Sequence, residues 1–265
     1  DTGSSGLTIS IPGGDTVKYF LSNDATEYTA SFSGLNFSIP ANKLVEKIKV
    51  VTGSSGKADW TKTDITINQL GVTQTVTSAS VLGSLASTQA GTVTLGGNIT
   101  TSGTQTYAGA ITLSGADRTL TGSTITNSST ITGAGFSLTE TGNAVINGAI
   151  SGVNNLSISG TTSIGANIST TGSQTYTGNV TVNGAARTLT TTGDNVTFSG
   201  TVNSDASGAR DLTIATGTAA TVQFGGTVGN SNALGAIAIT GTSAALDLNA
   251  AISNAASLSV SGASD

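Results

Sequence analysis

Hydrolytic chemistry in this sequence would have to come from its carboxylates. The chain has 14 Asp and Glu, no His and no Cys, and hydrolysis of a glycosidic bond needs two carboxyl groups about 5–9 Å apart. After residue 81, only Asp205 and Asp211 are near each other in sequence, with Arg210 between them. A solvated loop with a local ion pair explains this group, so we predict no catalytic residue. The remaining acids after residue 81 are Asp117, Glu140, Asp194, Asp247 and Asp265.

Metal and cofactor sites are also not expected. Without His or Cys, the commonest metal ligand and every thiolate ligand are missing. The glycine-rich nonapeptide of calcium-binding β-rolls and the Asp spacing of EF-hands are both absent. Asp15, Asp24 and Glu27 could contribute to a single calcium site, but the sequence favours no metal and no cofactor.

Three Arg residues share a local position, because each lies two residues before a Leu. They are Arg118, Arg187 and Arg210. Strand alternation would put all three on one corner of a rod, where a basic ladder for an acidic glycan is one interpretation. The favoured interpretation is that they bind corner carbonyls or neighbouring carboxylates such as Asp211.

Tyr107 and Tyr176 occupy matching positions in two copies of one motif. Exposed rings could stack on sugars, but at strand ends among small residues we expect them to be plugs that fill a wide corner instead.

Thr-x-Thr pairs such as Thr104/Thr106 and Thr119/Thr121 are typical of flat ice-binding faces. That function requires the pairs in register on every coil. In the sequence they recur irregularly, so ice binding is not expected.

Composition excludes two classes of partner. Charged residues make up 9% of the chain and the net charge is −5, whereas nucleic-acid binding needs a basic stripe. No apolar run approaches the ~20 residues of a membrane-spanning helix. We therefore expect no nucleic-acid partner and no membrane-spanning segment.

An internal repeat positions the residues described above. The motif around Thr-Gln-Thr-Tyr107 returns 69 residues later around Ser-Gln-Thr-Tyr176, and Arg118 returns in the same way as Arg187. A fixed offset of this kind identifies a repeat architecture. The module could comprise three coils of ~23 residues or four of ~17, and the sequence does not choose between them.

Short runs that alternate apolar residues with Thr, Ser or Asn fill the chain after residue 81. Examples are residues 196–198, 222–224 and 246–248. Each run reads as a strand with one buried face, and Gly residues mark the turns between runs. Propeller repeats are longer and richer in aromatic signatures, so these short runs do not favour a propeller. We predict an all-β fold with a parallel β-helix (β-solenoid) over residues 76–265. Inward positions such as Phe198, Phe224, Leu212 and Leu248 should act in stability only.

Residues 1–75 differ in composition and should form a small β-sandwich-like or capping domain. All six Lys, both Pro and the only Trp precede residue 63. Strands are predicted at residues 7–11, 17–21, 28–32, 35–39 and 64–67. Residues 41–51 fit a helix or a strand, and the β-branched end of this run favours a strand.

The element Thr170-Thr-Gly-Ser-Gln-Thr-Tyr-Thr-Gly-x-Val-Thr-Val182, with Val196-Thr-Phe-Ser-Gly-Thr-Val202 after it, resembles the repeats of filamentous-haemagglutinin-like adhesins. These are very large surface exoproteins of Gram-negative bacteria. The resemblance covers about residues 95–262. It implies a right-handed parallel β-helix, export across the outer membrane, and a role as stalk or adhesive shaft.

The absence of a catalytic constellation, together with what this resemblance implies, leads us to expect a non-catalytic extracellular segment of a bacterial surface protein, acting as a stalk or shaft in adhesion or biofilm. Its partners would be cell-surface glycans, a host or neighbouring cell surface, or further copies of itself, end to end or side by side. The alternatives are a self-assembling surface-layer or filament subunit and, further off, a polysaccharide-degrading β-helix enzyme.

Overall fold

The computed structural model describes residues 83–87 and 91–262 in full and, before residue 83, the backbone of eight strands. Every regular element of this described part is a β-strand. The first eight strands are β1 (Gly6–Ile9), β2 (Thr16–Leu21), β3 (Glu27–Thr29), β4 (Asn36–Phe37), β5 (Val45–Val51), β6 (Asp64–Asn68), β7 (Gln74–Val76) and β8 (Ala79–Leu82). The strand interpretation of residues 41–51 is therefore confirmed for Val45–Val51.

The remaining strands are short and closely spaced. They are β9 (Ser84–Ser87), β10 (Val93–Leu95), β11 (Ile99–Thr101), β12 (Gln105–Tyr107), β13 (Ile111–Leu113), β14 (Arg118–Asn127), β15 (Ile131–Thr132), β16 (Leu138–Ile146), β17 (Ile150–Val153), β18 (Leu156–Ile158), β19 (Thr162–Ile164) and β20 (Ile168–Thr170). They continue with β21 (Gln174–Tyr176), β22 (Val180–Val182), β23 (Arg187–Thr190), β24 (Val196–Phe198), β25 (Val202–Ser204), β26 (Leu212–Gly217), β27 (Thr221–Phe224), β28 (Leu234–Gly241), β29 (Ala245–Leu248) and β30 (Ala255–Ser261).

These strands wind into a parallel β-solenoid of about nine coils, as predicted. Each coil has three faces. Face A contains β11, β18, β21, β24, β27 and β29, together with the first halves of β14 and β16. Face B contains β12, β19, β22 and β25 and the second halves of β14 and β16. Face C is the ten-stranded ladder from β7 to β30.

Alternation along each strand fills the interior of the rod. In β21, Gln174 and Tyr176 are buried and Thr175 between them is half-buried on the outside. The same pattern recurs in most three-residue strands. The inward residues of all three faces meet in one apolar core that runs from Leu85 to Ile239.

Coil length varies along the rod, so neither predicted division of the 69-residue repeat is correct. Ile158 and Tyr176 are stacked in neighbouring coils 18 residues apart, whereas Phe198 and Phe224 are 26 apart. Ile99 lies in face A and its repeat partner Ile168 lies in face C. The repeat therefore spans three coils and two further faces, and equivalent residues point in different directions.

A column of glycines forms the corner between face A and face B. A methyl group on Gly200 would lie 2.6 Å from the carbonyl oxygen of Gly178 in the coil below, and one on Gly103 would lie 2.6 Å from that of Gly83. Real side chains do not tolerate such distances, so a side chain at either position would force the backbone of two coils to move. The column comprises Gly83, Gly103, Gly122, Gly142, Gly160, Gly178, Gly200 and Gly226.

Asn and Asp side chains connect neighbouring coils from the outside. Each accepts a hydrogen bond of 2.7–3.0 Å from the backbone N–H that lies in register in the next coil. Each of these residues directly precedes an inward residue of its strand. The acceptor–donor pairs are Asn98–Thr119, Asp117–Ser137, Asn143–Thr161, Asn155–Ser173, Asn167–Thr188, Asn179–Thr201, Asn195–Thr221 and Asp211–Ala236.

Before residue 83, two strand arrangements are described. β6 and β7 already stack in parallel under β9 and β10, and β1 pairs antiparallel with β6 and β4. β2, β3 and β5 form a separate antiparallel sheet. The division of the chain at residue 75 stays a prediction.

No helix in the described ranges is long and apolar enough to cross a membrane.

Candidate functional site

The two tyrosines belong to a polar network inside the rod. Tyr107 donates a 2.8 Å hydrogen bond from its hydroxyl to Gln105 Oε1, and Gln105 Nε2 donates to the carbonyl oxygen of Thr121 at 2.8 Å. Thr101 Oγ1 donates to the carbonyl oxygen of Gly103 at 2.9 Å. The motif Thr-x-Gly-x-Gln-x-Tyr produces this network, and the sequence interpretation recognised the Tyr but not its Gln.

The second copy of this motif makes the same bonds on another face. Tyr176 donates to Gln174 Oε1 at 2.9 Å, and Gln174 Nε2 donates to the carbonyl oxygen of Thr190 at 2.9 Å. Both tyrosines are fully buried. Burial, with a smaller contribution from the charge of Glu140, raises the pKa of both phenols far above their usual range. Their burial confirms the prediction that the two rings are plugs, and the sugar-platform alternative is wrong.

Two of the three arginines bind backbone carbonyls at turns. Arg118 donates from Nε to the carbonyl oxygen of Leu95 at 2.9 Å and from a terminal nitrogen to that of Ser114. Arg187 donates from Nε and Nη2 to the carbonyl oxygen of Asn183 at 3.0 and 2.7 Å. This confirms the interpretation that these side chains bind turn carbonyls.

The shared corner predicted for the arginines is wrong. Arg118 begins a strand of face A, whereas Arg187 begins a strand of face C and Arg210 precedes another. Because the sequence repeat is out of phase with the coils, Arg118 lies at a different corner from Arg187 and Arg210, and the three cations form no ladder.

The loop with Asp205 and Asp211 is held by internal hydrogen bonds. Asp205 accepts from the backbone N–H of Gly184 at 2.7 Å and forms an ion pair with Arg210 at 3.2 Å. The bond from Gly184, followed by those from Arg210, lowers the pKa of Asp205. Asp211 accepts from the backbone N–H of Ala236 at 2.7 Å. The predicted local ion pair is confirmed, with Asp205 rather than Asp211 as the partner.

Glu140 is a carboxyl group enclosed in the core, which the sequence interpretation did not single out. Alternation in Leu138-Thr-Glu140-Thr points it inward, so the pattern contained the signal. Asn127 Nδ2 donates to Glu140 Oε1 at 2.9 Å, and Glu140 Oε2 and Asn127 Oδ1 have no hydrogen-bond partner. Burial, only partly opposed by the bond from Asn127, raises the pKa of Glu140 to about 7.

The outside of face A carries aligned Thr-x-Thr pairs. Strand register stacks Thr119, Thr139, Ser157, Thr175 and Thr197 in one column and Thr121, Thr141, Ser159, Thr177 and Ser199 in the next. The second column follows from the same pairings extended by one residue beyond the short strands. We call these ten residues the hydroxyl array. Within these five coils the irregular spacing seen in the sequence reflects variable coil length, and the pairs are in register in three dimensions.

Face B does not carry a comparable array. Its pairs Thr104/Thr106 and Thr124/Thr126 are in register, but the next coil has Asn143 and Val145 at these positions. The two faces therefore differ in chemistry although their strands share a motif.

The last described coil exposes apolar side chains. Leu248 stacks on Phe224 in register, yet it is 44% exposed, and Leu258 and Val260 are 41% and 43% exposed. The prediction that Phe198, Phe224 and Leu212 are interior residues is confirmed. Leu248 also faces inward, in register with Phe224, but it is partly exposed because no described strand packs on top of it.

No group of three potential metal-binding side chains occurs within the described ranges. The side chains of Asp15, Asp24 and Glu27, which were considered for calcium, lie outside the part of the chain that the structure describes.

Comparisons with protein-family models, with curated proteins and with solved structures find no match to this chain.

Proposed function

We propose that the chain is a non-catalytic, extracellular segment of a bacterial surface protein that acts as a stalk or shaft in adhesion or biofilm formation. The observation that supports this best is the continuous core, to which each successive coil adds a further layer of inward side chains. At ~4.8 Å per coil, about nine coils extend roughly 43 Å. Such a rod separates what lies at its two ends, and its stability comes from contacts between adjacent coils.

The chemistry of the side chains supports a non-catalytic role. The carboxylates of Asp117, Asp205 and Asp211 each accept hydrogen bonds from backbone N–H groups, and Glu140 is buried. These hydrogen bonds give Asp117, Asp205 and Asp211 a structural role, and Glu140 lies in the core. The surface adhesin role rests on the resemblance of the repeat motif.

The test uses the whole purified chain, coupled to beads and presented to bacterial and epithelial cell layers. Beads that carry the chain should attach to at least one of these surfaces more than beads with a matched inert protein. Incubation of the chain with surface polysaccharides should release no reducing sugar. Absence of attachment to every surface, or reducing-sugar release, would contradict the proposal.

A second candidate function is a self-assembling filament or surface-layer subunit. The exposed side chains of Leu248, Leu258 and Val260 favour it, because exposed apolar side chains on a strand edge associate readily. Electron microscopy at high protein concentration would show filaments or sheets. Leu258→Lys should abolish them, whereas the outward substitution Ser259→Lys in the same strand should not.

A further inference from the structure

The hydroxyl array has regular spacing in two directions. Along the rod its members repeat once per coil, at about 4.8 Å, and across a strand two outward residues are about 6.6 Å apart. The pairing of face A continues without a register shift from β16 to β27. Five successive coils therefore present a regular grid of hydroxyl groups about 19 Å long.

Nearly all of these hydroxyl groups are available to an external partner. Ser159 Oγ accepts a hydrogen bond from the backbone N–H of Gly142. The side-chain oxygens of the other nine have no hydrogen bond to any residue that the structure describes. By contrast, the two residues that border the first column of the array are engaged internally. Asn98, in the coil below the array, accepts a hydrogen bond from the backbone N–H of Thr119, and Gln223, in the coil above it, donates one to Asp247.

The array also has no charge and no exposed ring. Its ten members are Thr or Ser, and the aromatic residues of face A, Tyr176, Phe198 and Phe224, all point into the core. A charged ligand would find no counter-ion here, and a sugar would find no aromatic surface for stacking. The seven Thr add methyl groups, which restrict the orientation of neighbouring water.

We propose that the hydroxyl array of face A binds ice. Its two repeat distances are close to those between water oxygens on a prism-type face of hexagonal ice. Hydroxyl groups in register therefore meet lattice positions across several coils at once, and each weak contact adds to the others. The occupant is a water lattice, which matches an uncharged and periodic face.

The experiment measures partition of the whole chain into a slowly growing ice hemisphere. The wild-type chain should accumulate in the ice fraction, and a protein without an ice-binding face should be excluded. The double variant Thr175→Lys/Thr197→Lys places two long charged side chains in adjacent coils of the array. It should lower the ice-to-liquid ratio at least tenfold.

The matched control is Thr106→Lys/Thr126→Lys on face B. Thr106 and Thr175 are each the middle residue of a Gln-Thr-Tyr strand and are equivalent in the 69-residue repeat. Thr126 stacks on Thr106 as Thr197 stacks on Thr175. This control has the same charge and the same substitutions, and it should partition into ice like the wild-type chain.

Circular dichroism and thermal melting establish that both variants retain the fold. A conservative variant, Thr175→Val/Thr197→Val, removes two hydroxyl groups without adding bulk and should give an intermediate ratio. Exclusion of the wild-type chain from ice overturns the proposal, as does an equal loss in the face B control. The wild-type chain could instead fail to bind ice but bind polysaccharide or self-associate. If the face A variant then loses that binding, the ice-binding proposal is wrong and face A serves the other partner.

Discussion

Asn127 donates a 2.9 Å hydrogen bond from Nδ2 to Oε1 of Glu140, and both side chains are completely enclosed. Asn127 stacks above Tyr107, and Glu140 lies two coils below Tyr176 in its own column. Burial and, to a smaller extent, the charge of Glu140 raise the pKa of both phenols. No cation offsets a charged Glu140 within this network, so its ionisation opposes folding.

Glu140→Gln should remove a pH dependence of stability. The pKa of Glu140 is raised from 4.5 to about 7, so the folded state holds a proton that the unfolded state has lost between these pH values. Protonation of Glu140 therefore stabilises the folded state fully below pH 4.5, and this stabilisation is lost as the pH rises through 7. The corresponding change in the free energy of unfolding is about 3 kcal/mol. Gln keeps the acceptor for Asn127 and carries no charge, so the variant should be the more stable protein at pH 8.

Urea unfolding of both proteins from pH 4.5 to 8.5 measures this difference. The comparison cancels the titration of all other groups, since only residue 140 differs. A stability difference that stays constant with pH would show that Glu140 does not titrate in this range.

Gly200→Ala should destabilise the rod through a steric conflict with the coil below. The new methyl carbon would lie 2.6 Å from the carbonyl oxygen of Gly178, and two coils must move to relieve this steric conflict. We expect the free energy of unfolding to fall by about 3 kcal/mol. Gly208→Ala is the control, because its methyl meets no atom within 4 Å and only the positive φ of 145° is strained. Thermal melting should show the larger loss for Gly200→Ala.

Phe198→Ala should open the rod locally. The ring of Phe198 is stacked between Tyr176 and Phe224, with centroid distances of 5.2 and 5.1 Å. Its loss should lower the free energy of unfolding by about 4 kcal/mol. Because coils interact with their neighbours, hydrogen exchange should accelerate in β21, β24 and β27 first. Uniform acceleration from β10 to β30 would indicate a single cooperative unit instead.

Asn155→Ala should weaken one connection between coils. Asn155 Oδ1 accepts hydrogen bonds from the backbone N–H and the hydroxyl of Ser173 at 2.9 and 3.1 Å. Both hydrogen bonds are exposed to solvent, so water compensates for part of their loss. We expect the free energy of unfolding to fall by about 1 kcal/mol. Asn154→Ala at the preceding position is the control. Asn154 Oδ1 accepts only a 3.4 Å hydrogen bond from Thr171. Urea denaturation should therefore show a smaller loss of stability for Asn154→Ala than for Asn155→Ala.

The sequence could predict the solenoid but not the phase of its repeat. Alternation is a local property, and it placed Phe198 and Leu212 in the core. Tyr107 and Tyr176, although identical in motif, stack on different faces because turns of variable length set the number of residues per coil. The arginine ladder failed for the same reason.

The hydroxyl array was hidden from the sequence by this variation. Thr139 and Ser157 are 18 residues apart and Thr175 and Thr197 are 22 apart, yet both pairs are in register. A periodicity search with one fixed spacing therefore misses them. The burial of Glu140 was accessible from alternation, but its contact with Asn127 in another coil was not.

The direction of the ladder hydrogen bonds determines how the rod responds to force. They lie along the rod axis, so tension between the two ends acts on one coil at a time rather than on all coils together. A released coil of 18 residues lengthens the chain by about 60 Å, and one of 26 residues by about 90 Å. Under load the rod behaves as an extensible tether that lengthens in unequal steps and absorbs work at each one.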